Sequence, residues 1–403
     1  MTSKERFLKY VSFHTASSEE SETSPSTLRQ FDLARELKKE MEELGLKDVS
    51  IDECGNVIGT LPATEGVKAD TVAFIAHMDT SPAASGENVH PREVFYDGSD
   101  IDLGGRVILS EKQFPAMAAV RGKTLIVTDG TTLLGADDKA GIAEIMTMAD
   151  KLIAGGIPHG ELRLVFTTDE EVGRGIEGLD VDKLGCQWGY TVDGGALGAY
   201  EYENFNAASA KVRIHGVGIH PGSAKGIMKN ASVIAMELHD MLPADQVPEK
   251  TEGYQGFIHL TDFRGDVVEA QLSYIIRDHD MDLFEEKKKL IQGAVGMINL
   301  LHGEGTAEAE IRDSYYNMKE KVLPHPHLLE RVEKAFTACG VKPYSEPIRG
   351  GTDGAMLTWK GLPCPNLSTG GYNFHGIYEF IPTDALETMP EVLVKIAESF
   401  VES

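Results

Sequence analysis

The feature that most constrains the fold is a set of short apolar runs that each end just before acidic or histidine residues. Three of these runs have the length and composition of buried central strands, at Thr71–Ala76, Leu162–Phe166 and Tyr190–Val192. Lys139–Ile153 carries apolar residues at helical spacing, and Thr124–Val127 is a further candidate strand. This alternation of strands and helices predicts an α/β layer with helices on both faces of the sheet.

The pattern changes near Ala207 and returns to α/β character after about Asn317. Strand-like and helical segments in between occur at Lys211–Ile214, Ser232–Met241, Gly256–Thr261, Ala270–Arg277, Met281–Leu301 and Glu308–Asp313. Strands that alternate in polarity, together with two helices, are typical of a small α+β domain whose sheet faces water on one side. We therefore expect residues 207–316 to be inserted into a discontinuous domain made of residues 1–206 and 317–403.

Charge and cysteine content limit the classes of partner. The 64 acidic and 38 basic residues give a formal net charge of −26, which repels nucleic acid and anionic lipid at long range. No run approaches the roughly 18 apolar residues of a membrane span, and the N-terminal residues form no apolar signal segment. The four cysteines include no CxxC pair and do not indicate a disulfide framework. We expect a cytoplasmic protein with neither a nucleic-acid nor a membrane partner.

Candidate chemistry begins at His77 and Asp79, which directly follow the first apolar run. Side chains that leave the C-terminal end of a central strand face the crevice where open α/β sheets bind ligands. Positions two apart in an extended segment share a face, so Asp79 is placed to orient the imidazole of His77 or the residues next to it. Taken alone, the pair is also compatible with an ordinary junction between a strand and a loop.

Two acidic clusters lie at comparable points of the chain. Asp137 and Asp138 stand at the start of a predicted helix, where capping explains an aspartate at least as well as metal binding does. Asp169-Glu170-Glu171 follows the second strand, and three adjacent acids repel one another unless solvent or a cation neutralises them. The cluster therefore predicts either a metal ligand beside a general base or an exposed acidic turn.

Asp193 leaves the third strand, and His375 lies in a glycine-rich loop far downstream. Together with earlier candidates they form a set of nitrogen and oxygen ligands that suits zinc, with cobalt or manganese as alternatives. The five candidate ligands are His77, Asp137, Glu171, Asp193 and His375. Three of the five follow predicted strands, so we expect them to converge on one crevice.

Eight motifs, in this order and spacing, resemble those of the M20 metallopeptidases over nearly the whole chain. They are HMDT (77–80), GADDKAG (135–141), TDEEVGRG (168–175), TVDGG (191–195), HPG (220–222), RDHD (277–280), RGGTDG (349–354) and GGYNFHG (370–376). The resemblance implies a discontinuous catalytic α/β domain with a mixed sheet, and an inserted α+β domain that acts as a lid or in dimerisation. A homodimer is therefore one expected state of the chain, and a monomer the other.

The same resemblance implies a pair of zinc ions, for which Co²⁺ or Mn²⁺ can substitute. Asp137 would bridge the two ions. His77 and Asp193 would complete one site, and Glu171 and His375 the other.

Further roles follow from the same resemblance. Glu170 would be the general base that activates water, and Asp79 the carboxylate that supports the site. The peptide bond between Asp137 and Asp138 would be cis.

For the substrate, the resemblance implies a short peptide and an aminopeptidase that releases the N-terminal residue of tripeptides. His220 would help to stabilise the oxyanion, and Arg277 would grip the C-terminal carboxylate. Arg349 and Thr352, in the loop Arg349–Gly354, would lie beside the substrate. Without the resemblance, Arg277 is a strand-end charge paired with a nearby aspartate, and the loop is a tight turn.

Two alternatives remain open from the sequence. One is another M20 hydrolase, such as a dipeptidase, a carboxypeptidase or an N-acyl amino acid deacylase, with the same metals and base but a different pocket. The other is a zinc-loaded binding protein without catalytic activity, in which Glu170 would have no role as a base.

Overall fold

The computed structural model describes residues 1–401, which form two compact units. The first unit comprises Met1–Tyr202, Met318–Glu346 and the chain from Thr352 onwards, and the second comprises Glu203–Asn317 and Pro347–Gly351. The short segment Pro347–Gly351 was predicted to belong to the first domain. It joins the second unit because the Ile348 N–H donates to the carbonyl of Glu203 at 2.8 Å.

Strands and helices alternate through most of the chain. The strands are β1 (Lys47–Ile51), β2 (Val57–Leu61), β3 (Val72–His77), β4 (Arg92–Tyr96), β5 (Ile101–Gly104), β6 (Val107–Leu109), β7 (Lys123–Val127), β8 (Leu162–Thr167), β9 (Trp188–Gly194), β10 (Ala199–Glu201), β11 (Asn206–His215), β12 (Phe257–Gly265), β13 (Glu269–Asp278), β14 (Ala307–Tyr315), β15 (Tyr344–Ser345), β16 (Asn366–Ser368) and β17 (Phe380–Pro382). The helices are α1 (Ser3–Tyr10), α2 (Gln30–Leu44), α3 (Ala136–Gly155), α4 (Val181–Leu184), α5 (Ala231–Asp240), α6 (Met281–His302), α7 (Lys319–Val322), α8 (His327–Ala338), α9 (Asp353–Trp359) and α10 (Thr383–Ser399). Among residues 1–401, no helix is both long and apolar enough to cross a membrane.

The first unit is built on a mixed eight-stranded sheet in the order β1-β2-β8-β3-β9-β16-β10-β15. Its centre is parallel, because β3 pairs in parallel with both β8 and β9, and β9 with β16. All six residues of β3 are buried, as expected for a continuous apolar run covered on both faces. The core cluster on one face contains residues from α2, α3, α8 and α10. The predicted α/β architecture with a mixed sheet is therefore confirmed.

The strand predicted at Thr124–Val127 forms as β7, but it lies outside this large sheet. It pairs antiparallel with β17 on one side and β4 on the other. Membership of that separate sheet depends on partners far away in sequence, which the local pattern of apolar residues does not specify.

The second unit is an antiparallel sheet in the order β12-β13-β11-β14, with α5 and α6 packed on it. Residues of β13 alternate in burial, with Ala270, Leu272, Tyr274 and Ile276 buried against the helices. This alternation confirms the predicted α+β sheet with one face toward water.

Candidate metal centre

The C-terminal ends of the central parallel strands carry most of the candidate ligands. β3 ends at His77, which lies opposite Thr167 at the end of β8. Glu170 and Glu171 follow β8 in a single 3₁₀ turn, and Asp193 belongs to the last part of β9. Parallel strands bring their C-terminal ends to the same edge of the sheet, so these side chains meet there.

The carboxylate of Asp137, at the start of α3, lies between two imidazoles. His77 Nε2 is 2.9 Å from Asp137 Oδ1, and His375 Nε2 is 2.9 Å from Asp137 Oδ2. Each carboxylate oxygen thus faces a different histidine, which is the arrangement that a bridging ligand requires.

Asp193 and Glu171 complete the two sides of this arrangement. Asp193 Oδ1 is 3.4 Å from His77 Nε2, and Glu171 Oε2 is 3.0 Å from His375 Nε2. The ligand atoms of His77, Asp137 and Glu171 lie within 4.8 Å of one another, as do those of His77, Glu170 and Asp193. The structure therefore brings all five candidate ligands together with Glu170.

Two observations show that these side chains fit a divalent cation. The imidazole Nδ1 of His77 donates to the carbonyl of Asp79 at 3.0 Å, which leaves Nε2 to face carboxylate oxygens. Glu171 Oε1 is buried and has no hydrogen-bond partner within residues 1–401. A buried carboxylate oxygen of this kind is costly unless a cation or a donor satisfies it. Imidazole and carboxylate donors in this number suit zinc and related metals.

The electrostatic field of the acidic side chains favours positive charge at both imidazoles. Burial lowers the pKa of His77, but the charge of Asp193 and a hydrogen bond with Asp137 raise it well above its ordinary value. Hydrogen bonds with Asp137 and Glu171 raise the pKa of His375 to about 11. The same field would favour a metal ion at these nitrogen atoms.

The carboxyl groups differ in how they respond to burial. Burial raises the pKa of Asp193 to about 7, and burial together with the charge of Asp193 raises the pKa of Glu170 well above its ordinary value. Burial also acts on Asp137, but hydrogen bonds from His375 and His77 hold its pKa below its ordinary value. Glu170 and Asp193 thus bind a proton more readily than a free carboxylate does, and Asp137 binds one less readily.

The carboxylate of Asp79 lies near the His77 ring and binds the backbone of two neighbouring site residues more closely. Its carboxylate is 3.4 Å from the His77 ring, and its backbone carbonyl is the closer partner of that ring. The fully buried carboxylate instead accepts the backbone N–H groups of Glu170 at 3.0 Å and Glu171 at 3.2 Å. Asp79 therefore orients the turn that carries both glutamates.

Three buried acids around the site were not recognised as part of it from the sequence. Asp138, joined to Asp137 by the expected cis peptide bond, accepts the backbone N–H of His77 at 3.2 Å. Asp169 accepts a hydrogen bond from the Gln30 side chain at 2.7 Å. Glu379 binds backbone amides at the start of α3. Asp138 is adjacent to the candidate ligand Asp137, and Asp169 to the candidate base Glu170, so their positions in the sequence could have indicated them.

Three of the four predicted substrate-binding residues, His220, Arg277 and Arg349, belong to the second unit and have partners within it. His220 is exposed, and its Nδ1 accepts a backbone N–H two residues further on at 3.1 Å. Arg277 donates to the carbonyls of Ala208 at 3.2 Å and Ile276 at 2.9 Å, and its guanidinium lies over the ring of Tyr315.

The side chains of Arg349 and Thr352 also form hydrogen bonds with the backbone. Arg349 donates to the carbonyls of Gly253 at 2.7 Å and Gln255 at 2.9 Å. Thr352, in the first unit, caps α9 by accepting the Ala355 N–H at 3.2 Å.

Comparison with solved structures agrees with this fold. An aminopeptidase PepT from Bacillus cereus has a TM-score of 0.78 at 26% identity, covering 100% of this chain and 98% of that one. A tripeptidase from Staphylococcus aureus has a TM-score of 0.79 at 23% identity, with the same coverage. Residues 202–300 match the family model of the peptidase dimerisation domain. The fold is that of the M20 peptidases.

Sequence relatives narrow this assignment. A peptidase T from Caldanaerobacter subterraneus subsp. tengcongensis is 54% identical over 98% of both chains. A peptidase T from Parabacteroides distasonis is 52% identical over 99% of this chain and 98% of its own. The chain belongs to the peptidase T family of the M20 peptidases.

Proposed function

We propose that the chain is a metal-dependent aminopeptidase that releases the N-terminal residue of tripeptides. The observation that carries this proposal is the Asp137 carboxylate, held between the Nε2 atoms of His77 and His375, with Glu170 in the same cluster. Relatives named peptidase T at 52–54% identity over nearly the full length support the choice of activity. The tripeptidase of the same fold supports a substrate of three residues.

The site residues would hold two divalent cations with Asp137 shared between them. His77 and Asp193 would complete one site, and Glu171 and His375 the other. We assign zinc to both positions, with Co²⁺ or Mn²⁺ as substitutes, because imidazole and carboxylate donors suit all three. Such ions, when bound, lower the pKa of water and polarise the scissile carbonyl.

Glu170 moves the proton in the proposed reaction. Burial and the charge of Asp193 raise the pKa of Glu170, so it holds a proton taken from water more readily than a free carboxylate does. The water oxygen adds to the carbonyl carbon of the first peptide bond. Glu170 then passes the proton to the nitrogen as the carbon–nitrogen bond breaks, which releases the N-terminal residue. Asp79 keeps Glu170 in place through the backbone N–H of that residue.

Recognition of the substrate is assigned to residues of the second unit and to the loop Arg349–Gly354. Arg277 would bind the C-terminal carboxylate, since a guanidinium can bind both oxygens of a carboxylate in one plane. His220 would donate a hydrogen bond to the oxyanion. Arg349 and Thr352 would shape the loop beside the substrate, because their polar groups already bind the backbone.

We also propose that two chains associate through the second unit, which matches the peptidase dimerisation domain. Light scattering coupled to gel filtration should then give twice the chain mass of 43.8 kDa. A cytoplasmic location is supported by the four cysteines, all of which are free thiols. Cell fractionation that finds the protein outside the cytoplasm would contradict this location.

The experiment that tests the activity compares metal-free, zinc-reloaded and cobalt-reloaded protein on peptides with free or blocked ends. Mass spectrometry of the products should show one N-terminal amino acid and one dipeptide from a free tripeptide, only after metal is restored. An N-acetylated tripeptide should stay intact. Release of the C-terminal residue would indicate a carboxypeptidase, cleavage of N-acyl amino acids a deacylase, and no cleavage at all a binding protein.

A further inference from the structure

Glu379 is a buried carboxylate that none of the proposed steps uses. Only 1% of its surface is exposed, and it lies directly before β17. Its Oε2 accepts the backbone N–H groups of Leu134 at 2.7 Å and Gly135 at 2.9 Å, and its Oε1 accepts that of Asp137 at 3.1 Å. Three hydrogen bonds from one short segment thus end on a single side chain.

These amides lie at the N-terminus of α3, where backbone N–H groups lack partners within the helix. The residue in the capping position is Gly135, which has no side chain to accept them. Asp137 has non-helical dihedral angles, φ −88° and ψ 99°, so the hydrogen bonds of α3 do not determine its position. Glu379, which is 244 residues from Gly135, supplies the cap from outside the helix.

The loop that ends at Glu379 also carries His375. Its base is closed by two backbone hydrogen bonds between Tyr372 and Phe380, of 2.9 and 3.1 Å. His375 contacts the carboxylate of Asp137, and Glu379 accepts the N–H of the same residue. One loop therefore holds Asp137 from two sides.

A buried lysine accompanies the carboxylate. Lys139 is 1% exposed, and its Nζ donates to the carbonyl of Phe13 at 2.7 Å. Burial lowers the pKa of Lys139 to about 7, although the charges of Glu379 and Asp79 oppose this change. Burial also raises the pKa of Glu379 to about 7, against the effect of its hydrogen bonds from the backbone. The three backbone hydrogen bonds therefore fix this side chain in the interior.

We propose that Glu379 is a positioning residue that fixes Asp137 relative to His375, and that it thereby sets the affinity for the metal ion bound by Asp137, Glu171 and His375. The inference rests on the proposed pair of metal ions. It assigns to Glu379 a larger effect on the ion bound by Glu171 and His375, because Glu379 contacts both Asp137 and the loop of His375, whereas the other ion shares only Asp137 with these contacts. His77 and Asp193, which would complete the other site, lie on β3 and β9. None of the hydrogen bonds of Glu379 described above involves these two strands.

The test is a titration of metal-free, full-length protein with Co²⁺, followed by calorimetry and by visible absorption. In Glu379→Gln, the side-chain carbonyl can still accept the Leu134 and Gly135 amides, but the NH₂ group then opposes the N–H of Asp137. One of the two Co²⁺ ions should bind about 10–100-fold more weakly, and its absorption bands should change. The other ion, which shares only Asp137 with the contacts of Glu379, should lose less than about 10-fold in affinity. Turnover of the tripeptide should be lost at a low concentration of Co²⁺ and should return as the concentration of Co²⁺ is raised.

Glu144→Gln is the matched control. Glu144 is also a fully buried glutamate of the first unit, on α3, and neither of its oxygens has a hydrogen-bond partner in the described part of the chain. Its replacement should leave both Co²⁺ affinities unchanged. An equal loss in this control would mean that removal of any buried carboxylate weakens the site, and would overturn the inference.

Further outcomes separate the inference from the function on which it rests. If Glu379→Gln binds both ions like the parent protein, the inference is wrong while the proposed enzyme stands. If the parent protein itself binds fewer than two Co²⁺ ions, both are wrong. Should the Gln variant fail to fold, Glu379→Asp provides the second test. It keeps the charge but is one methylene shorter, and the same selective loss of one ion is expected.

Discussion

The eight-stranded sheet of the first unit and the four-stranded sheet of the second unit bury their residues in different ways. This difference suits the two sheets to different kinds of site. In the parallel centre of the first unit, β3 is buried along its whole length, and its last residue, His77, enters the candidate metal centre. In the antiparallel sheet of the second unit, β13 alternates between buried and more accessible residues up to Arg277. A covered sheet edge suits groups that must be held away from water, and a half-exposed sheet suits groups that bind a substrate reversibly.

The contacts of the candidate site residues also differ between the two units. In the first unit, imidazoles and carboxylates contact one another, as His77, Asp137 and His375 do. In the second unit, Arg277 and Arg349 donate to backbone carbonyls. We therefore expect substitutions in the first site to act on kcat, and substitutions of the arginines to act on KM.

The largest expected effect is that of Glu170→Gln, which removes the base and keeps the shape of the side chain. Turnover of a free tripeptide should fall by about 10²–10⁴-fold in kcat, with KM little changed and two metal ions still bound. Stopped assays combined with metal analysis by mass spectrometry measure all three quantities. Glu177→Gln, at an exposed acid nearby, is the control and should behave like the parent protein. Normal turnover in Glu170→Gln would mean that another group is the base.

The next effect concerns stability and compares the two sheets directly. Phe74→Ala should reduce the free energy of unfolding by about 3–5 kcal/mol, because Phe74 is fully buried in β3 and stacks on Tyr190 with ring centroids 5.9 Å apart. Lys211→Ala, on the exposed face of β11, should change it by less than about 0.5 kcal/mol. Urea unfolding of metal-free protein gives both values. Similar losses in the two variants would contradict the contrast between the sheets.

Arg277→Ala should act mainly on recognition of the C-terminal carboxylate. The value of kcat/KM for a free tripeptide should fall by about 10–100-fold, since a hydrogen bond between charged groups contributes about 1.5–3 kcal/mol. A C-terminally amidated tripeptide lacks that charge and should lose far less. Arg264→Ala, at an exposed arginine of the same sheet, controls for the loss of a surface charge. Equal losses on the free and amidated peptides would exclude carboxylate recognition by Arg277.

The smallest effect is a change in the pH dependence of stability. Burial raises the pKa of Glu144 well above its ordinary value of 4.5, so the folded state binds this proton more tightly than the unfolded state does. The stability contributed by the bound proton is complete below the unfolded pKa and is lost as pH rises toward the folded pKa.

Glu144→Gln cannot titrate and should remove that loss. Relative to the parent protein, its free energy of unfolding should rise between pH 6 and pH 7 by up to about 1.4 kcal/mol. Urea unfolding at the two pH values measures this difference. A constant difference between variant and parent across this range would show that Glu144 does not titrate there.

Much of the first unit could be predicted, because the relevant signals are local. The runs that became β3, β8 and β9 are short and mostly apolar, which favours buried strands over helices. The residues that follow these strands were for that reason candidates for the site. The structure placed them within hydrogen-bonding reach of one another, as the distances between His77, Asp137 and His375 show.

The parts that escaped prediction depend on contacts between distant segments. Glu379 follows no predicted strand, and its partners Leu134 and Gly135 are more than 240 residues away. The loop with Arg349 looked available for substrate, but its guanidinium binds the carbonyls of a loop of the second unit about 95 residues earlier in the chain. Local spacing contains no information about such partners.

The sequence by itself determined which segments would be strands and helices, and which side chains would stand at strand ends with ligand chemistry. That information is local, because the alternation of side chains along a strand or helix repeats every few residues. The family resemblance implied that Asp137 lies between His77 and His375, which are 298 residues apart, but only the tertiary structure decided the distances between them and that Glu379 would hold the backbone of Asp137. Contacts between such distant residues depend on how the strands and helices pack, and this packing forms only when the whole core is assembled.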